Sequence, residues 1–537
     1  PNYGLDNDDY PFGQITYFDD FKIIYGSNGC LAYDPEENLD PMGDTCNSVR
    51  GNYTIFDFPP PLPAGASTTI DVYIGYPEDD YPNPDYDAVD VRTGLPSGTY
   101  QIYLYADPSG TVAESIEDNN ELGPVTINIG TQVDVTIGGA LMGSYTLSSG
   151  EEKRLYYDVS GGPVKVESTD DSKIVSAIRL QSFANNTLYS FVETMGVPDT
   201  LLSHKYYFPT YNNTWVPYLN SQIRFGNLDV TATTIRVTIG GNVVWEESVP
   251  GLEERRLYFD VSGGPVIIES LNPAKKIVAA IRLQSFTNNT LLSFSETLGI
   301  PDEYLSDLYY FPTYNNTWVP YLNSQLRFAN LGMNPTDIKV TIGGILMDIY
   351  EDVPPQSEMR LYYDVSGGPV LVESLDGTDI IAAIRLQSFA NNTLYSFVET
   401  MGVPDTLLSH KYYFPTYNNT WVPYLNSQIR FGNLDVTATT IRVTIGGNVV
   451  WEESVPGLEE RRLYFDVSGG PVIIESLNPA KKIVAAIRLQ SFTNNTLLSF
   501  SETLGIPDEY LSDLYYFPTY NNTWVPYLNS QLRFGVP

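Results

Sequence analysis

The pattern richest in chemistry is Asn-x-Thr, the acceptor triplet for N-linked glycans. It occurs at Asn52, Asn185, Asn212, Asn288, Asn315, Asn391, Asn418, Asn494 and Asn521. Eight of these are copies of two positions in a repeated unit, so the independent occurrences are three. Asn-Asn-Thr is also a good turn between strands, because asparagine tolerates left-handed backbone and bonds its own chain. Both positions persist between copies that differ beside them, Ala184 in one and Thr287 in the next. Covalent N-glycans on most of them are the expectation.

Other groups point to fewer reactions. Cys30 and Cys46 are the only cysteines. A disulfide between them would close a short loop and add roughly 3 kcal/mol of stability, with two buried thiols as the alternative. The acidic loop 78–87 holds Asp79, Asp80, Asp85 and Asp87, whose oxygens suit a structural calcium ion. Its spacing matches no calcium loop, and acidic loops are commonly just solvated. No other cofactor is expected. His204 and His410 are one position in duplicated copies, so no second histidine exists to build a metal pair. The chain has no nucleophile elbow, no phosphate-cradling glycine loop and no Cys-x-x-Cys. Convergent carboxylates of a glycosidase type would need four active sites or one altered copy, so we expect no enzyme. Trp215, Trp318, Trp421 and Trp524 recur once per unit, as core fillers or as platforms for sugar rings.

What positions these residues is a repeat. Tyr-Tyr-Phe-Pro-Thr-Tyr-Asn-Asn-Thr-Trp begins at Tyr206, Tyr309, Tyr412 and Tyr515, in steps of 103 residues. Val-Thr-Ile-Gly-Gly begins at Val135, Val237, Val340 and Val443, and Ser-Gly-Gly-Pro-Val at Ser160, Ser262, Ser366 and Ser468. Residues 177–328 recur letter for letter at 383–534. One unit therefore duplicated and diverged, and the pair then duplicated again.

Within a unit the apolar period is two. Ile235, Val237 and Ile239 alternate with Arg236 and Thr238, and Ile178 and Leu180 with Arg179 and Gln181. That predicts strands with one buried and one wet face. Glycine and asparagine pairs separate seven or eight short strands per unit. The fold class expected is all-β: tandem immunoglobulin-like antiparallel β-sandwich domains in a rod. The boundaries read as a leading domain at 1–130, then repeats at 131–226, 227–330, 331–433 and 434–537. Strands of the leading domain are expected at 15–18, 53–58, 69–74, 100–106 and 125–129.

Composition narrows the partners. The 537 residues carry 65 acids against 29 lysines and arginines, a net charge of −36. Such a surface repels nucleic acid and anionic lipid, and no apolar run is long enough to cross a membrane as a helix. Beginning at Pro1, the chain reads as a mature or partial product of a secreted protein.

Two stretches resemble known modules. Gly98-Thr-Tyr-Gln-Ile-Tyr-Leu-Tyr-Ala-Asp107 and Gly110-Thr-Val-Ala-Glu-Ser-Ile-Glu-Asp-Asn-Asn120 resemble the end of the CARDB domain, a cell-adhesion-related, immunoglobulin-like module of prokaryotic surface proteins. The loop holding Cys30 and Cys46 and the acidic insert depart from it. The repeat, through Gly161-Gly-Pro-Val-Lys-Val-Glu-Ser168, Met195-Gly-Val-Pro198 and Tyr206-Tyr-Phe-Pro209, is similar to tandem repeats of large surface proteins of environmental prokaryotes. These resemblances imply an extracellular, cell-surface location. The expected function is that of a structural glycoprotein, a subunit of a surface fibre or filament that polymerises head to tail with itself, by β-strand addition in its sharper form. The alternative is an adhesin or carbohydrate-binding protein that recognises cell-surface or matrix glycans and uses its repeats as a stalk.

Overall fold

The computed structural model describes residues 18–25, 29–32, 98–106 and 121–537, except 185–186, 214–218, 288–289, 318–321, 391–392, 420–424, 494–495 and 524–527. Two compact units divide the chain, 1–131 and 132–537. In the first, four antiparallel strands are ordered Gly29–Ala32, Phe18–Tyr25, Gly98–Ala106, Glu121–Ile129. The last two match sequence expectations. A strand runs over Phe18–Tyr25, meeting the one expected at 15–18 at Phe18, while residues 15–17, 53–58 and 69–74 lie outside the described residues.

The second unit is all-β and antiparallel, built from four sandwich modules. Module II (203–305) stands for the rest. Its five-stranded sheet runs Asn242–Val249, Thr233–Ile239, Val266–Ser270, Lys205–Phe208, Ile300–Pro301. Its four-stranded sheet runs Glu254–Leu257, Asn220–Asn227, Ile277–Thr287, Thr290–Leu298. Ile235, Val237, Ile268, Ile223, Phe225 and Ile281 fill the space between, each almost fully buried. Arg236 and Thr238 on the opposite face are half-exposed, as the period of two predicts. The Gly240-Gly241 hairpin turn has φ of +54° and +76°, the pair of left-handed values that a two-residue hairpin turn of matching twist demands.

The repeated motifs are mating surfaces. A Cβ on Gly264, in Ser-Gly-Gly-Pro-Val, would lie 1.9 Å from the carbonyl oxygen of Pro209, in Tyr-Tyr-Phe-Pro. Only glycine admits that approach. The two motifs sit on either side of the sequence boundary drawn at 226/227, so the folded module is out of phase with the period as cut at 226, 330 and 433. Three strands of each module, such as Lys205–Phe208, Tyr211–Asn212 and Asn220–Asn227, come from the end of the preceding sequence repeat.

This phase decides the architecture. The first module is preceded by residues 1–131, which do not carry the repeat, and the place of its missing strands is taken by those of the last repeat. Leu514–Phe517 pairs with Val164–Ser168 and Val197–Pro198, Tyr520–Asn521 with Ser160–Gly161, and Asn529–Gly535 with Val175–Ala184 and Glu152–Leu155. Module I is thus 132–202 completed by 512–537, followed by II, III (306–408) and IV (409–511). The tandem antiparallel sandwiches hold, but their expected arrangement in a rod is corrected: they close into a ring.

The inner strands Thr187–Met195, Thr290–Leu298, Thr393–Met401 and Thr496–Leu504 pack in a cycle around its axis. Hydrogen bonds follow the same cycle. Thr194 Oγ1 donates to Glu296 O at 3.0 Å, Thr297 to Glu399 O at 2.6 Å, Thr400 to Glu502 O at 3.0 Å and Thr503 to Glu193 O at 2.6 Å. Val197, Leu201, Val278, Val403, Leu407 and Val484, drawn from all four modules, form an apolar cluster. There Tyr304 and Tyr510 of opposite modules meet edge to face at 5.6 Å.

Candidate functional site

Buried arginine–glutamate pairs lie on the seams between modules. Arg179 and Gln181 were expected to face water, yet they are only 2% and 5% exposed. The same holds for Arg282, Arg385 and Arg488. Both faces of the strand are covered, one by the sandwich core and one by the neighbouring module. The near-continuous run Ile-Val-Ala-Ala-Ile at 277–281 carried that signal, since a strand buried on both sides loses its alternation.

In module II, Arg282 and Glu296 are cross-strand partners. Arg282 Nε donates to Glu296 Oε2 at 2.8 Å, and its Nη2 stands 2.7 Å from the same oxygen. A second arginine, Arg224 on the adjacent strand, holds its Nε 3.7 Å from that carboxylate and donates to Gln222 Oε1 at 2.6 Å. Its Nη1 crosses the seam to Thr519 Oγ1 of module I at 2.8 Å. Arg430 and Arg533 reach Thr313 and Thr416 of their own neighbours at 3.3 Å. Across the sheet, Arg256 pairs with Glu254 nearer the surface. Burial first, and the Arg282 guanidinium second, push the Arg224 pKa down to about 9. Arg327, Arg430 and Arg533 are pushed down to about 9 by the same causes. All remain charged at neutral pH. Each seam therefore holds three arginines against two glutamates in an acidic protein, an arrangement suited to holding modules in one register. The seam between I and II also opens a cavity of about 470 Å³, lined by Ile137, Ala140, Met142, Val159, Leu252 and Glu254 among others.

The glycosylation candidates divide. Asn212, Asn315, Asn418 and Asn521 are each 6% exposed, with the side-chain oxygen buried. Their second asparagines are the clamps that fix the turn. Asn213 Nδ2 donates to Tyr211 Oη, Ser221 O and Phe259 O, at 2.9 to 3.2 Å, and its Oδ1 accepts from Ser221 N. At these four positions the second asparagine ties the motif into a turn, and the acceptor side chain is largely buried. Asn52, Asn185, Asn288, Asn391 and Asn494 lie outside the described residues. So do Asp79, Asp80, Asp85 and Asp87, Cys46, and Trp215, Trp318, Trp421 and Trp524, while Cys30 sits in Gly29–Ala32. Among the described residues no group of three or more His, Cys, Asp or Glu side chains is placed to hold a metal ion. His204 and His410 belong to modules II and IV, where their carbonyls accept from Ser270 N and Ser476 N at 2.7 Å.

No family model matches the chain, and no curated protein matches it. Solved structures give only faint likenesses. An anti-sigma factor domain-containing protein is 8% identical over 72% of this chain and 99% of its own, with a TM-score of 0.11. The arabinofuranosyltransferase AftD from Mycobacteria is 7% identical over 70% and 38%, with a TM-score of 0.12. Dimeric latent PorU from Porphyromonas gingivalis is 13% identical over 76% and 35%, with a TM-score of 0.12. At such scores none of the three carries an argument about fold or function.

Proposed function

We propose that this chain is an extracellular structural protein, a subunit of a surface fibre or layer in which the ring is a stiff body and the leading domain makes attachments. The observation that carries the reading is the closure of four near-copies through buried charged seams, which favours rigidity over turnover. A net charge of −36 suits a crowded, hydrated surface. The resemblance of 98–120 to a cell-adhesion-related module supports the location. Glycans are assigned by this reading to Asn52 and to the Asn185, Asn288, Asn391 and Asn494 positions, since the Asn212 class is buried. Electron microscopy of the protein from its source, with intact-mass analysis, tests it. Filaments or sheets with a mass excess of several glycans are expected; isolated particles of unmodified mass would overturn it.

A second reading, a glycan-binding adhesin, is favoured by Tyr156, Tyr258, Tyr362 and Tyr464. Each is 52% exposed at the same place in its module. Gln181 donates to the Tyr156 hydroxyl at 2.9 Å, which fixes that ring and leaves it open for stacking. Here the four modules form a multivalent head rather than a stalk.

A further inference from the structure

Module I differs from the other three modules in its covalent wiring. Modules II, III and IV receive their first strands from the residues immediately before them. Module I receives the equivalent strands from 512–537, more than 300 residues away in the chain. The clasp makes the same pairings as its counterparts. Tyr515↔Val166 and Leu532↔Ile178 in module I match Tyr309↔Val372 and Leu326↔Ile384 in module III. Residues 306–328 and 512–534 are identical in sequence. The slot in module I therefore reads a generic segment and has no feature that identifies its own chain.

We propose that this slot is an interaction surface for a second copy of the chain: residues 512–537 of one molecule fill module I of another. The donated strands make every contact that they make in the closed ring, including Arg533 beside Glu193 and Ser176 Oγ donating to Arg533 O at 3.1 Å. Closed and exchanged forms thus differ mainly in effective concentration and in the path of the connection at 508–513. That connection is a single short turn, Asp508–Tyr510, followed by the Ile174↔Ser512 bridge; Tyr413 and Lys482 of its own module hold Asp508 and Glu509, and these are the contacts that extension must remake. Reciprocal exchange gives a dimer of rings. One-way exchange gives a linear chain in which each ring is clasped by its neighbour. Dilution favours the ring closed on itself, and crowding at a surface favours the chain. The proposal rests on the assembly reading above and supplies its contact.

Glu167 and Leu514 are directly opposed across the closing seam. Beside them Ser168 N donates to Asp513 O at 2.7 Å, so the Glu167/Leu514 pair falls at the closer, non-hydrogen-bonded spacing that suits a disulfide. The full-length chain with both Glu167→Cys and Leu514→Cys, refolded dilute, is expected to link within one chain. Failure of that link would refute the slot itself. An equal mixture of chains carrying Glu167→Cys alone and Leu514→Cys alone, refolded at high concentration, is expected to give a covalent dimer. Its cross-linked peptide should join positions 167 and 514, and the unsubstituted chain treated alike supplies the background from Cys30 and Cys46. Intrachain closure of the double variant at every concentration, with no linked dimer from the mixture, would overturn the exchange. Filaments in native material without that dimer would leave the assembly reading standing and remove only this contact. Single native particles together with the dimer would do the reverse.

Discussion

Two kinds of seam alternate around the ring, and they are held by different means. Where II meets III and IV meets I, the inner strand of the even module presents hydroxyls to its neighbour's backbone. Ser295 Oγ accepts from Glu399 N at 2.9 Å, Ser293 Oγ from Phe397 N at 3.4 Å, and Thr297 donates to Glu399 O. Ser501, Ser499 and Thr503 repeat these contacts against module I. Where I meets II and III meets IV, Val192 and Val398 replace the second serine, and of the three contacts the threonine bond remains. These leaner seams have something the others lack. Leu252 and Leu458, at φ +55°, push their side chains toward the glycine turns of the neighbouring odd module, with Leu252 Cδ1 2.8 Å from where a Cβ on Gly139 would sit. Gln356 and Gly150 occupy that place at the richer seams. Two extra hydrogen bonds are worth about 2 kcal/mol net. A half-buried leucine is worth about 1 kcal/mol, half the value for full burial. Divergence between odd and even copies thus exchanged polar for apolar adhesion without leaving any seam much weaker.

The Arg–Arg–Glu cluster is common to both kinds, so breaking it tests whether the seams are otherwise equal. Glu399→Ala would leave Arg385 and Arg327 buried without their shared partner, which costs about 3–5 kcal/mol. Glu296→Ala should cost the same at the leaner seam. Both are measured by denaturant unfolding of the full chain, with hydrogen exchange to localise the opening. Losses that differ by more than about 1 kcal/mol would mean that the seams are not built on one common element.

A smaller change separates them. Ser295→Ala leaves the Glu399 N–H buried and unpaired, at about 1–3 kcal/mol. At the other seam Val192→Ala deletes only apolar contact, at about 0.5–1.5 kcal/mol, a loss comparable to removing a buried methyl or two. The serine variant should therefore speed exchange of the Glu399 amide specifically, whereas the valine variant should not affect any single amide so strongly. Equal and diffuse effects would show that the hydroxyls contribute packing alone.

Much of this was readable in the letters. The period of 103, the alternation at 235–239 and the glycine turns fixed the strands and their antiparallel pairing. The ring was not readable, for two physical reasons. Periodicity reveals the length of a repeat but never its phase, so nothing marked Lys205–Phe208 as the property of the next module. An arginine in an alternating strand also looks solvated until a neighbour covers it. Arg179 reads as part of a wet face because burial of a charge is rare on its own, and its partner Glu193 stands fourteen residues away on another strand. The asparagine turn shows the opposite ambiguity. Asn-Asn-Thr serves equally as sequon and as clamp, and the clamp is visible only in the contacts of Asn213.

The gentlest test concerns the leucine that replaced the missing hydroxyls. Leu252 sits in left-handed backbone, where a side chain costs roughly 1–2 kcal/mol relative to glycine. It keeps that conformation because its side chain gains the seam. Leu252→Ala forfeits the contact and retains the strain, so a loss of about 1–2 kcal/mol is expected. Leu252→Gly forfeits the same contact but removes the strain, and should be more stable than the alanine variant by about 1 kcal/mol. At the richer seam Gln356 also has a positive φ, +53°, yet its amide donates to Leu331 O at 2.8 Å inside its own module. Gln356→Gly should therefore lose an internal hydrogen bond while leaving adhesion to module II almost unchanged. Thermal unfolding of the three variants separates these outcomes. If alanine at 252 matches or exceeds glycine, the strain is not being offset at the seam, and the leucine is there for the turn alone.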